Sequence, residues 1–212
     1  MTEKEHKPTK AEAERIENYS KQAARLESEG YTATKCVVSI LKANVYALFL
    51  FIPFGLVFSL IFYSAGGSFV PDISHIQIWN LLLLLVVFFA LIIVHEGLHG
   101  LTWALFCKAK FKSIQFGIIP SNLTPYCTCL EPLGFKAYLL GALMPLLVLG
   151  IGSIIIAAAT KNCYWFYFAN IAALTAGGDI YVALMLLRHK KALVLDHPTE
   201  CGFYAFEKAH NR

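Results

Sequence analysis

His95-Glu96-Gly97-Leu98-His99 is an H-E-x-x-H pentapeptide set inside an apolar run that extends from about Ile76 to Cys107. Two histidines four residues apart on a helix project from one face, so both imidazoles can reach a single metal ion. The glutamate beside the first can then serve as base toward a water activated by that metal. Hydrocarbon penalises every ionisable group placed in it, so His, Glu and His at membrane depth point to function. The bland alternative is a polar cluster that holds helices together. By composition the motif should arise in well under about one chain in a hundred of this length, which favours the metal.

The surrounding elements follow from composition and patterning. The 212 residues are 57% hydrophobic and 15% charged, with mean hydropathy +0.57, against roughly 25% charged for a soluble domain. This predicts an all-α membrane protein with about four transmembrane helices, at 40–63, 77–107, 137–159 and 164–187. Between the second and third spans, residues 108–136 alternate apolar with polar or small residues and contain Pro120 and Pro125, which predicts a small cytoplasmic β-hairpin-like segment. The four-span domain covers 36–191. Before it, residues 1–35 mix acids and bases with helix formers and end near Gly30, as expected of a disordered start followed by a short surface helix. After it, 192–212 reads as a short polar tail.

Charge orients these spans. Of 18 Lys and Arg, eight lie in 1–42, four in 108–136 and five from Arg188 onward, leaving Lys161 alone on the other side. Both termini are therefore expected in the cytoplasm of a multi-pass cell-membrane protein, with Trp79 and Trp165 at the outer interface. The net charge of +4 belongs to these flanks, so no nucleic-acid partner is expected. Six scattered cysteines suggest no disulfide framework, and the polar first 30 residues suggest no cleavable leader. Cys127-Thr-Cys129 is a weak soft-metal pattern, and the Asn122-Leu-Thr124 sequon falls on the expected cytoplasmic side. Nothing in the pattern specifies an oligomer.

A catalytic zinc takes three protein ligands and keeps one position open, so a third residue is required. The chain reads Gly100-Leu-Thr102-Trp103 after the motif, which excludes the metzincin continuation. Glu131 sits beside Pro132 without helical context, while His189, Asp196 and His197 fall at or beyond the cytoplasmic interface; Asp196-His197-Pro198 reads as a turn after the last helix. Among the fourteen Asp and Glu, only Glu96 and Asp179 lie inside spans. Measured from the Trp anchors, the histidine pair and Asp179 lie roughly 27 and 21 Å along their helices, a difference of about one turn. The small residues of Thr175-Ala-Gly-Gly-Asp179 permit the helices to approach, so Asp179 is the predicted third ligand.

These features resemble the site-2-protease group of intramembrane zinc metalloproteases, and more closely a bacterial family of zincin peptidases allied to it. The resemblance runs from about Leu81 to Phe206 and includes Gly177-Gly178-Asp179 and Asp196-His197-Pro198-x-x-x-Gly202-Phe203. It departs from site-2 proteases in placing the glycines before Asp179. The resemblance implies one Zn2+ per chain, held by His95, His99 and Asp179, with Glu96 as general base. It also implies hydrolysis of a peptide bond in a membrane-anchored protein or peptide. The 108–136 hairpin would offer such a substrate a strand to pair with. The competing expectations are a soluble-substrate hydrolase and a non-proteolytic membrane metal sensor or carrier built on the same site.

Overall fold

The computed structural model describes residues 9–71, 77–119 and 124–208. The start of the chain, the end of the loop before the second span and the turn carrying Asn122 lie outside them. Thr9 opens α1 (Lys10–Ser28) with a capping box to Glu12, and Gly30 follows the helix with φ +85°. Then come β1 (Tyr31–Val38), α2 (Ile40–Ser64) and α3 (Ile78–Phe106). A single 3-10 turn leads to the hairpin β2 (Ile114–Ile119) and β3 (Thr124–Cys129), and β4 (Leu133–Gly134) precedes α4 (Phe135–Pro145). A π-helical stretch, Leu146–Ile151, joins α4 to α5 (Gly152–Thr160). The chain closes with α6 (Cys163–Thr175), α7 (Gly177–Leu186), β5 (Leu193–Asp196) and β6 (Cys201–Lys208).

Three helical stretches are long and apolar enough to cross a membrane: Ile40–Ser64, Ile78–Phe106 and Phe135–Thr160. The pair α6 and α7, bent by 45° at the break, makes a fourth if counted as one span. These coincide with the four stretches expected from hydropathy. Outside them the all-α expectation needs correction. The segments read as an extension and a tail join β4 in a four-stranded antiparallel sheet ordered β1-β6-β5-β4, in which Tyr31 pairs with Lys208 and Val38 with Cys201. A strand before the first long helix and a strand after the last are thus neighbours in one sheet.

Side-chain alternation gives this sheet two buried faces. Val194, Phe203 and Ala205 pack on the ends of the helices beside Trp103, Tyr138 and Leu186. Leu195 and Phe206 face the other way, onto Ala23 and Leu26 of α1, while Tyr19 stacks on Tyr204 with ring centroids 4.5 Å apart. The layers are therefore α1, the sheet and the helix ends. Within the bundle a second core joins Phe58 and Phe62 of α2 to Ile154, Phe166 and Ala173.

α3 has a different exposure along its length. Leu82 to Phe89 are exposed, as an apolar helix facing lipid would be, whereas Leu91, His95, His99, Thr102 and Trp103 form a buried stripe at helical spacing. The hairpin lies against that lower half, with Phe116 and Ile114 of β2 over Gly100. α2 and α7 also meet closely at Gly177, where an added Cβ would stand 2.5 Å from the Ala47 Cβ and 2.7 Å from its Cα. Because that neighbour is backbone, the helices themselves would have to separate. Gly177→Val is expected to destabilise the fold by about 1–3 kcal/mol, read as a lowered Tm in detergent micelles, with Ala47→Gly partly restoring it.

Candidate metal centre

The histidine pair is placed by ordinary helix geometry, and Asp179 by the bend. At the break after Thr175 a new helix begins, and Asp179 stands in its first turn, where the helix dipole favours a carboxylate. The result is convergence: Asp179 Oδ2 lies 3.0 Å from His95 Nε2, and Asp179 Oδ1 lies 3.4 Å from His99 Nε2. One ligand atom from each of the three residues falls within 4.8 Å of the others. The structure brings together the three residues that the sequence singled out from separate spans.

Supporting contacts fix how these groups are presented. His99 Nδ1 lies 2.8 Å from the carbonyl of Gly141 and donates to it, which leaves the Nε2 lone pair bare toward the site. On the same helix face Trp103 stacks on His99 at 5.3 Å and on Tyr138 at 5.2 Å, and its Nε1 donates to the Tyr138 carbonyl at 3.1 Å. The indole sits where Gly141 has no side chain, since a Cβ there would fall 2.1 Å from Trp103 Nε1. His95 Nδ1 is buried and has no hydrogen-bond partner among the described residues.

Two buried imidazole nitrogens and a half-buried carboxylate, converging on one point, are a fitting donor set for Zn2+ with a fourth position open. Glu96 stands outside that trio. Its carboxylate is faced by the backbone N–H of Cys127 in β3, so it is placed beside the ligands rather than among them. A cavity of about 390 Å3 joins these groups and runs out to a rim that includes Arg15, Tyr126, Pro198 and Glu200. Arg15 spans the rim, donating from Nε to the Pro198 carbonyl at 2.8 Å and from Nη1 to the Tyr126 hydroxyl.

Other sequence candidates have structural employment. Glu131 accepts from the amides of Lys108 and Ala109 at 2.8 and 2.9 Å and from the Ser113 hydroxyl, which closes the turn after α3. His189 sits 3.4 Å from Cys36 Sγ and 3.5 Å from Glu207, on the sheet. His197 accepts the amides of Thr199 and Glu200 and forms the expected turn, which also contributes to the cavity rim. Burial pushes the thiols of Cys127 and Cys129 well above their ordinary range, and neither belongs to the cluster of possible metal ligands among the described residues. Cys129 Sγ rests 3.3 Å from Cys107 Sγ, both as free thiols.

Sequence reasoning did not find Arg15, Tyr126 or Tyr138 at the site, and it set Asp196 aside as a ligand and read it as part of a turn. The aromatic run Phe203-Tyr204-Ala205-Phe206 and the β-branched Thr32, Thr34, Val37 and Val38 were the available signals for the strands that bring the rim together.

A family model described as "Putative zincin peptidase" matches residues 88–194. No curated protein and no solved structure matches the chain. The matched stretch contains His95, Glu96, His99 and Asp179. Because the Gly141 carbonyl orients His99 only while Trp103 fills the space of a side chain, Gly141→Ala is expected to weaken zinc binding about 10–100-fold. Competition with a chromophoric chelator measures this; Ser153→Ala, a change away from the cavity, serves as control.

Proposed function

The chain belongs to this zincin peptidase family, and from that footing we propose that it is an intramembrane zinc-dependent endopeptidase, allied to site-2 proteases, acting on a membrane-anchored protein or peptide. One observation carries the reading: two histidines and an aspartate from separate apolar helices converge on one point, with a carboxylate beside them that is not part of the ligand set. A carrier or sensor needs the ligands and has no use for Glu96 so placed. The topology proposed with it has four spans and both termini on the cytoplasmic side, supported by the Lys and Arg distribution.

His95, His99 and Asp179 would hold the metal. Bound there, zinc supplies Lewis acidity that polarises the scissile carbonyl and lowers the pKa of an attacking water toward about 7. Glu96 accepts the proton of that water as it attacks and delivers it to the departing amine. The buried walls around His95 and His99 exclude bulk solvent, which strengthens each of these electrostatic contacts. Water and substrate reach the site through the cavity, whose rim is built by α1, β3 and the turn between β5 and β6. β3 forms one wall of the cavity, so an extended peptide entering it passes beside this strand.

Glu96→Gln is expected to keep about one zinc per chain and lose proteolysis, whereas His99→Ala and Asp179→Ala lose both. Metal analysis of the purified protein, beside cleavage of a reconstituted single-span substrate, checks all three. A Glu96→Gln protein that still cleaves at the wild-type rate would sink the mechanism, and unchanged zinc in Asp179→Ala would remove the third ligand. Metal transport across vesicles without cleavage would return the carrier reading.

A further inference from the structure

Among the described residues, Asp196 is a further carboxylate in the cavity wall besides Glu96 and Asp179, and the chemistry above does not use it. It ends β5 and contributes to the cavity wall. Oδ2 accepts the Thr128 hydroxyl at 3.0 Å and the Cys129 amide at 2.6 Å, and Oδ1 accepts the Tyr138 hydroxyl. Both oxygens are thus engaged by the protein's own donors. Its partners are two residues of β3 and one of α4.

The strand it grips is the strand that faces Glu96. In β3 the amide of Cys129 leaves the hairpin for Asp196, so it lies on the edge away from β2. Backbone groups two residues apart point the same way, which puts the Cys127 amide on that same edge, where it faces Glu96. A two-stranded ribbon such as β2 and β3 is marginal by itself and needs an outside anchor. β5 is such an anchor, being paired on both sides by β4 and β6.

We propose that Asp196 is a positioning residue for the Glu96 carboxylate: it fixes β3 through Thr128 and Cys129, and β3 in turn sets the Cys127 amide against Glu96. The inference rests on the peptidase reading, in which Glu96 is the base. A base displaced by about 1 Å loses about 10²-fold in rate while the metal and the bound substrate stay in place. The path through Tyr138 adds a brace on the Trp103 and His99 stack, but the link to Glu96 is the one that separates turnover from metal binding.

The experiment uses full-length protein in detergent or vesicles. Asp196→Asn turns an acceptor into a group that also donates, against three donors. It is expected to lower kcat about 10²-fold, with KM and zinc stoichiometry changed less than about threefold. In a Glu96→Asp background, where the shorter side chain has already left the Cys127 amide, Asp196→Asn should add less than about threefold further loss. Amide hydrogen exchange across 124–129 should quicken about tenfold in Asp196→Asn while β1 and β6 keep their protection. Thr128→Val removes one donor at similar volume and should show the same pattern at smaller size; it decides the matter if Asp196→Asn does not fold. Losses that multiply fully in the double variant, zinc lost in step with kcat, or unchanged exchange in 124–129 would overturn the proposal. A wild-type protein that binds zinc yet cleaves nothing refutes the peptidase reading instead, and the exchange result still judges the clamp on β3.

Discussion

A carboxylate and two imidazoles set among apolar helices, with solvent reaching them through a single cavity, largely satisfy one another. That pairing organises the centre of this protein. Asp179 has one oxygen toward each His Nε2, and the remaining nitrogen of His99 is taken by the Gly141 carbonyl. Each contact needs a backbone feature that a regular helix lacks: the bend before α7 that swings Asp179 inward, and the missing side chain at Gly141 that admits Trp103. The interruptions in α4 to α7 are thus the means by which polar groups from different spans meet.

Around that centre the chain outside the helices acts as a frame. Pairing of β1 with β6 brings the region before the first long helix onto the region after the last, and α1 covers the sheet they form. The frame reaches the metal centre by two routes. Phe203 packs on Tyr138, which continues through Trp103 to His99. Asp196 ties β5 to β3, the strand whose amide faces Glu96. Burial pushes the Asp196 carboxyl above its ordinary range, and the three donors from Tyr138, Cys129 and Thr128 oppose that shift. A buried carboxylate with every oxygen matched in this way is rigid, which suits a brace.

The division between ligands and walls also follows the family match. Residues 88–194 contain the whole His, Glu, His and Asp set, whereas Arg15, Ala43, Ala47 and Cys201 line the cavity from outside that stretch. The candidate ligands are confined to the matched stretch, and the shape of the entrance depends on α1, α2 and β6 as well. Burial pushes the Cys201 thiol up to about 11, so this wall presents a neutral thiol to whatever enters.

Much of this was legible in the residues themselves. Hydropathy located the spans because lipid-facing helices must be apolar along their whole length, which is a local property. H-E-x-x-H spacing is likewise local, and Asp179 stood out because an acid inside an apolar run is costly wherever it points. What the sequence could not decide was anything made by pairing distant segments. Tyr31 and Lys208 become partners across the whole chain, and β5 is only four residues long, too short to show a period. Nor did the order of residues reveal that the Asp196 turn closes back on β3, or that Arg15 in a charge-mixed helix reaches Tyr126 and Pro198. Those contacts depend on where the sheet docks against the helix ends. The chain by itself singled out the candidate metal ligands, and the tertiary structure decided how they are held, since composition and spacing act along the chain while bracing acts across it.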